Sequence, residues 1–161
     1  MLKKLLACVG EYKKYTILTP VVMIGEVLME VLIPLVMAKI VDVGIANGDV
    51  AFTVKMGLIM VSMAIFSLCC GALGGKFAAK AGMGFAKNVR KKLFDKVQDF
   101  SFANVDKFST ASLVTRLTTD VTNVQNTFMM IIRMAVRAPF MLIVALIMSI
   151  SLNAELAVVF L

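Results

Sequence analysis

The apolar run over residues 51–75 carries one charged residue, Lys55 at its margin. A helix rising 1.5 Å per residue needs about 20 apolar residues to cross a hydrocarbon core of about 30 Å. This run is long enough, and it constrains the fold more than any motif. Backbone groups in lipid must be satisfied within the segment itself, so the run reads as a spanning helix. Two further runs match it, over 15–41 (interrupted by Glu26 and Glu30) and over 129–152. Gly44, Asn47, Gly48 and Asp49 form a turn-rich loop between the first two. Ser151, Asn153 and Glu155 mark a tight turn, and residues 156–161 open another apolar stretch. That stretch is far shorter than a span, so the chain reads as a fragment cut inside a fourth helix.

Composition agrees. Of 161 residues, 60% are hydrophobic and 17% charged, where soluble domains have about half and a quarter. Mean hydropathy is +0.93. Disordered, collagenous and disulfide-scaffold classes are excluded, and an all-α integral membrane protein is predicted. The formal net charge of +7 does not point to nucleic acid. Its basic residues lie between apolar stretches, and most aromatics are Phe within them, with no stacking platform. The chain has no histidine and three cysteines, Cys8, Cys69 and Cys70. Histidine acid–base work and Cys–His catalysis are excluded in this segment, and no zinc-type spacing occurs. Cys69 and Cys70 read as small hydrophobes.

The basic residues set the expected orientation. Lys3, Lys4, Lys13 and Lys14 precede the first span. Lys76, Lys80, Lys87, Arg90, Lys91, Lys92, Lys96, Lys107 and Arg116 lie between the second and third. Only Lys39 and Lys55 flank the first connection. The N-terminus and the middle segment are therefore predicted to be cytoplasmic. Residues 1–14, with lysines among Leu2, Leu5, Leu6 and Val9, read as an interfacial amphipathic helix.

The middle segment, 76–128, is more polar but still periodic. Phe85, Val89, Leu93, Val97 and Phe100 recur at helical spacing, as do Leu113, Leu117, Val121, Val124 and Phe128. Between them, Asn104, Asp106, Ser109 and Thr110 break the pattern, with Ser109 or Thr110 as a helix N-cap. The only prolines, Pro20, Pro34 and Pro139, lie outside it. Helices over 51–100 and 111–152 would be about 75 Å and 63 Å long. Each would then extend roughly 30–45 Å beyond the hydrocarbon core as one arm of an antiparallel stalk. Two ordinary spans joined by a solvated amphipathic loop are the alternative.

The stalk residues carry a resemblance. Leu113, Arg116, Leu117, Asp120 and Val121 follow the Leu-x-x-Arg-Leu-x-x-Asp-Val pattern at the end of the first intracellular loop of ABC exporters. Pro34 to Lys39, Asp42, Gly44, Gly48 and Asp49 resemble the outer end of that family's first span. Arg133, Arg137, Ala138 and Pro139 resemble its third. The likeness covers essentially the whole chain and is nearest to one half of bacterial heterodimeric multidrug exporters. Ala111 and Ser112 stand where many members have Gly-Glu. The resemblance implies six spans followed by a nucleotide-binding domain that uses ATP and Mg, a second half-transporter, and a bacterial inner-membrane location. It also implies an amphipathic small-molecule, lipid or peptide substrate. The coupling segment that passes domain closure to the spans would be 104–112, including Asn104, Asp106, Lys107, Phe108 and Ser109.

No ATPase is legible in the segment itself. The nearest approach to G-x-x-x-x-G-K-[ST] is Gly75 and Lys76, but Cys70 and Phe77 occupy the other required positions. Gly71 and Gly75 instead fit small-xxx-small helix packing.

Glu26 and Glu30 lie one turn apart within an apolar span, where carboxylates are costly and face a cavity or a partner. Contact with cationic substrates and an interhelical hydrogen bond are both open readings. Arg133 and Arg137 share the same spacing. They could pair with acids, attract anionic headgroups, line an inner vestibule or snorkel to the interface. Arg116 and Asp120 are spaced as a local helix pair worth roughly 0.2–0.5 kcal/mol. Met129, Met130, Met134, Met141 and Met148 read as ordinary apolar lining. Two rivals to the exporter remain: a proton-coupled carrier using Glu26 and Glu30, and a non-transporting scaffold docking a partner at 104–112.

Overall fold

The structure, a computed structural model, describes residues 7–99 and 110–152, and every element among them is helical. A 3-10 segment, Ala7–Tyr12, leads into α1, Lys13–Lys39. A π-helical stretch, Ile40–Ile45, and a short loop then lead to α2, Val50–Gln98. The chain resumes with α3, Thr110–Thr115, a π-helical turn, Arg116–Asp120, and α4, Val121–Leu152. At 49 residues α2 is uninterrupted, more than twice the roughly 20 needed to span. Three stretches, Ala7–Ile45, Val50–Gln98 and Ala111–Ser151, are long and apolar enough to cross a membrane. The chain divides into two compact units, Met1–Thr19 with Gly75–Arg133, and Pro20–Gly74 with Met134–Leu161.

In the first unit, partners descend on one helix as they rise on the other. Ala78 and Ala81 cluster with Ile132, Gly82 faces Met129 and Gln125, Phe85 stacks on Phe128, and the Arg90 guanidinium donates to Thr122 Oγ1 at 3.1 Å. α2 and α4 are therefore antiparallel here. The Phe85 and Phe128 rings lie 4.5 Å apart and 17° from parallel, adding about 0.5–1.5 kcal/mol to their burial. A Cβ on Gly82 would meet Met129, and one on Gly84 would meet the Tyr12 ring. Both glycines are there for close approach.

The N-terminal segment differs from the predicted surface helix where the structure describes it. Ala7–Tyr12 winds as a 3-10 turn broken at Gly10, at φ 47° and ψ −120°. Cys8 and Val9 are buried with Phe85, Ala86, Val89 and Val121. Asn88 Nδ2 donates to the Cys8 carbonyl at 2.8 Å. Protein rather than lipid covers these apolar side chains, because α2 and α4 leave a seat between Val89 and Val121.

That cover explains how much of each periodic stripe is buried. Phe85, Val89, Leu113 and Val121 are buried, while Leu93 and Val124 are exposed. Phe100 lies outside the described residues.

In the second unit, α1 and α2 also run antiparallel. Met23 meets Gly74, Gly25 approaches Cys70 Sγ, and Glu26 lies on Gly71. Met23 and Val27 are fully buried. The predicted loop ends with Gly48 at φ 66°, a left-handed turn that glycine adopts without steric cost. Asp49 then caps α2, its Oδ1 accepting the Phe52 N–H at 2.9 Å. Leu58, Leu68 and Ile147 are among many large exposed apolar residues. Lipid, not water, is the solvent such a surface requires. Pro20 and Pro34 lie within α1 and Pro139 within α4, as membrane helices tolerate.

Candidate functional site

The three ionisable residues Glu26, Glu30 and Arg137 come together in the second unit. Helical periodicity stacks Glu26 and Glu30 on one face of α1, and α4 delivers Arg137 to both. Arg137 Nη1 donates to Glu26 Oε1 at 3.2 Å. Its Nη2 donates to Glu30 Oε1 at 2.8 Å and Oε2 at 3.0 Å. The guanidinium suits this task, because its planar fork stays charged and serves two acceptors at once. These side chains lie 111 and 107 residues apart in sequence.

The two carboxylates are not equivalent. Glu26 keeps 14% side-chain exposure and Glu30 33%, so Glu26 is the better shielded from its surroundings. Its Oε2 is buried with no hydrogen-bond partner. Glu26 reaches this position across the bare backbone of α2. A Cβ on Gly71 would stand 3.0 Å from Glu26 Oε1 and 3.3 Å from its Cδ. One guanidinium thus faces two acids, and the formal balance of the triad is negative. The triad ties α1 to α4 by charge within two apolar helices.

The other candidates lie elsewhere. Arg133 is exposed and takes no part in the triad. Leu113 is buried, Leu117 half-buried, and Arg116 and Asp120 open and close the π-helical turn. Asn104, Asp106, Lys107, Phe108 and Ser109 lie outside the described residues. Gly75 and Lys76 sit inside α2, where helical bonding occupies the backbone N–H groups a phosphate cradle would need. Gly75 and Lys76 therefore form no phosphate cradle. Among the described residues no cluster of His, Cys, Asp or Glu could hold a metal ion.

Sequence reasoning missed Gly71 as the seat of Glu26 and Asn88 as the anchor of the N-terminal segment. Gly71 carried a packing signal, but nothing local showed which side chain it admits.

Comparison with known proteins decides the family. The family described as ABC transporter transmembrane region matches residues 16–161. The chain belongs to it. An uncharacterized ABC transporter ATP-binding protein, YfiB of Bacillus subtilis, is 34% identical over 155 residues. That match covers 96% of this chain and 27% of the relative. An uncharacterized ABC transporter ATP-binding protein of Mycobacterium tuberculosis is 28% identical over 145 residues, covering 90% of this chain and 25% of the relative. The chain thus spans about a quarter of the length of the curated relatives it matches. This ABC transporter segment is all-α and multi-pass, as the sequence predicts.

Proposed function

We infer that this ABC transporter segment is the first part of the substrate-translocating domain of an ATP-driven exporter, with its N-terminus in the cytoplasm. The relatives are named as ATP-binding proteins, and a nucleotide-binding domain is the partner through which ATP acts on these helices. Segment 104–112 receives that motion, and a second half-transporter completes the pathway. The substrate is an amphipathic small molecule of the multidrug type, and the membrane is the bacterial inner membrane.

The observation that carries this reading is the Arg137 link to Glu26 and Glu30, which joins α1 and α4 inside apolar helices. Charge in such helices marks pathways and moving parts. Here it acts as a latch that keeps the two helices together during alternating access.

The test uses the full-length protein in inverted membrane vesicles. ATP-dependent uptake of a fluorescent amphiphile is expected in the wild type. Arg137→Met should lower it at least tenfold, and Asp106→Ala with Phe108→Ala should uncouple ATP hydrolysis from uptake. Uptake that follows a proton gradient and ignores ATP would establish the carrier reading instead. Partner binding at 104–112 without any flux would establish the scaffold.

A further inference from the structure

We propose that the level of the helix bundle around Tyr15 is a binding ring for anionic phospholipid headgroups, with Lys80 and Arg133 as its central cations. This inference needs only the membrane location and does not depend on export.

Packing in the first unit fixes the level of the ring. Tyr15 and Phe128 pack against the cluster of Ala78, Ala81 and Ile132. The Tyr15 ring lies 6.0 Å from that of Phe77, and Lys80 Nζ stands 5.3 Å from its centroid. All three spanning stretches therefore meet at one height. Each brings exposed cations to it: Lys13 and Lys14 just before Tyr15, Lys76 and Lys80 around Phe77, and Arg133 next to Ile132. No Asp or Glu occurs over 12–19, 75–94 or 121–133. The described acids of the unit, Glu11, Asp95, Asp99 and Asp120, lie just outside these ranges, so cations outnumber acids at this level.

The height is also that of a membrane interface. The two tyrosines of the chain, Tyr12 and Tyr15, lie on either side of the start of α1, and tyrosine favours the headgroup layer. That layer is roughly 5–8 Å deep on each side. Lys76 and Lys80 are four residues apart on one helix face, about 6 Å along it, so both ammonium groups fit within the layer. Phosphodiester oxygens are the complementary acceptors, which Arg133 can engage as a fork and the lysines as point charges. Zwitterionic lipid carries its own cation and gains less.

The test is electron spin resonance of the full-length protein in mixed phosphatidylcholine–phosphatidylglycerol vesicles, with spin-labelled forms of both lipids. The wild type should immobilise phosphatidylglycerol several-fold in preference. Each cation lost should reduce that preference by up to about fivefold, so Lys80→Gln with Arg133→Gln should come close to abolishing it. Lys80→Arg with Arg133→Lys should retain it, which separates charge from folding. Lys96→Gln, paired with Asp99 at 3.9 Å and away from the ring, should leave it unchanged. Equal immobilisation of the two lipids by the wild type would overturn the proposal. So would an unaltered preference in the double glutamine variant, or displacement of phosphatidylglycerol by inorganic phosphate, which would indicate a soluble-phosphate site.

Discussion

Removing Arg137 should harm the protein more than removing either of its acids. Arg137→Met leaves two carboxylates in an apolar segment without a counter-ion, and breaking a buried pair in this way costs about 3–5 kcal/mol. Arg137 and Glu30 are each about a third exposed, which puts the expectation at the lower end, about 3 kcal/mol. Glu30→Gln loses charge from the contacts at 2.8 and 3.0 Å and should cost about 1.5–2 kcal/mol. Glu26→Gln loses one longer contact at 3.2 Å while its amide oxygen still accepts, for about 1 kcal/mol. The variant with all three changes has no charge to leave unpaired and should return to within about 1 kcal/mol of the wild type. Denaturation of the purified full-length protein by titrated SDS measures each difference, 1.4 kcal/mol being tenfold in the unfolding equilibrium. The reasoning fails if Arg137→Met is no worse than Glu26→Gln, or if the triple variant is no better than Arg137→Met alone.

Three more outcomes follow from particular contacts. Gly71→Ala places a methyl against the Glu26 carboxyl; its strain of about 1–3 kcal/mol is offset by roughly 1 kcal/mol of alanine's helix preference, for a net cost of up to about 2 kcal/mol. Its effect should be less than additive with Glu26→Gln, since both weaken the same link; SDS titration of the double variant checks this. Asn88→Leu removes the donor to the Cys8 carbonyl. It should cost about 1–3 kcal/mol and raise maleimide labelling of the otherwise buried Cys8, measured by mass shift. Phe85→Ala empties the stack on Phe128 and the seat of Cys8 and Val9. A loss of about 3–5 kcal/mol is expected, and a thermal melt showing less than 1 kcal/mol would mean that the cluster does not hold the segment.

Much of the helical architecture was legible because its signals are local. The charge-free stretch after Lys55, the glycines around Asn47 and the spacing of Phe85 and Val89 each report on their own neighbourhood. The pattern of Leu113, Arg116, Leu117, Asp120 and Val121 revealed the family for a similar reason, being a contiguous string. The candidate site was legible only as a set of costly residues. Glu26, Glu30 and Arg137 stood out because charge is expensive in lipid, yet the cost says that a partner is needed and not which one. Arg133 carried the same signal as Arg137 and takes no part in the triad.

The sequence by itself therefore determined that the chain is membrane-spanning and all-α, and where costly charge lies along it. Hydropathy and helical period depend on residues within a turn or two, so no distant part of the chain is needed to read them. Tertiary structure alone decided that Arg137 serves both acids, that Gly71 makes room for Glu26, and that Cys8 and Val9 sit in a protein core. Those outcomes depend on how antiparallel helices align residues far apart in the chain. A local pattern carries no information about that register until the helices are packed.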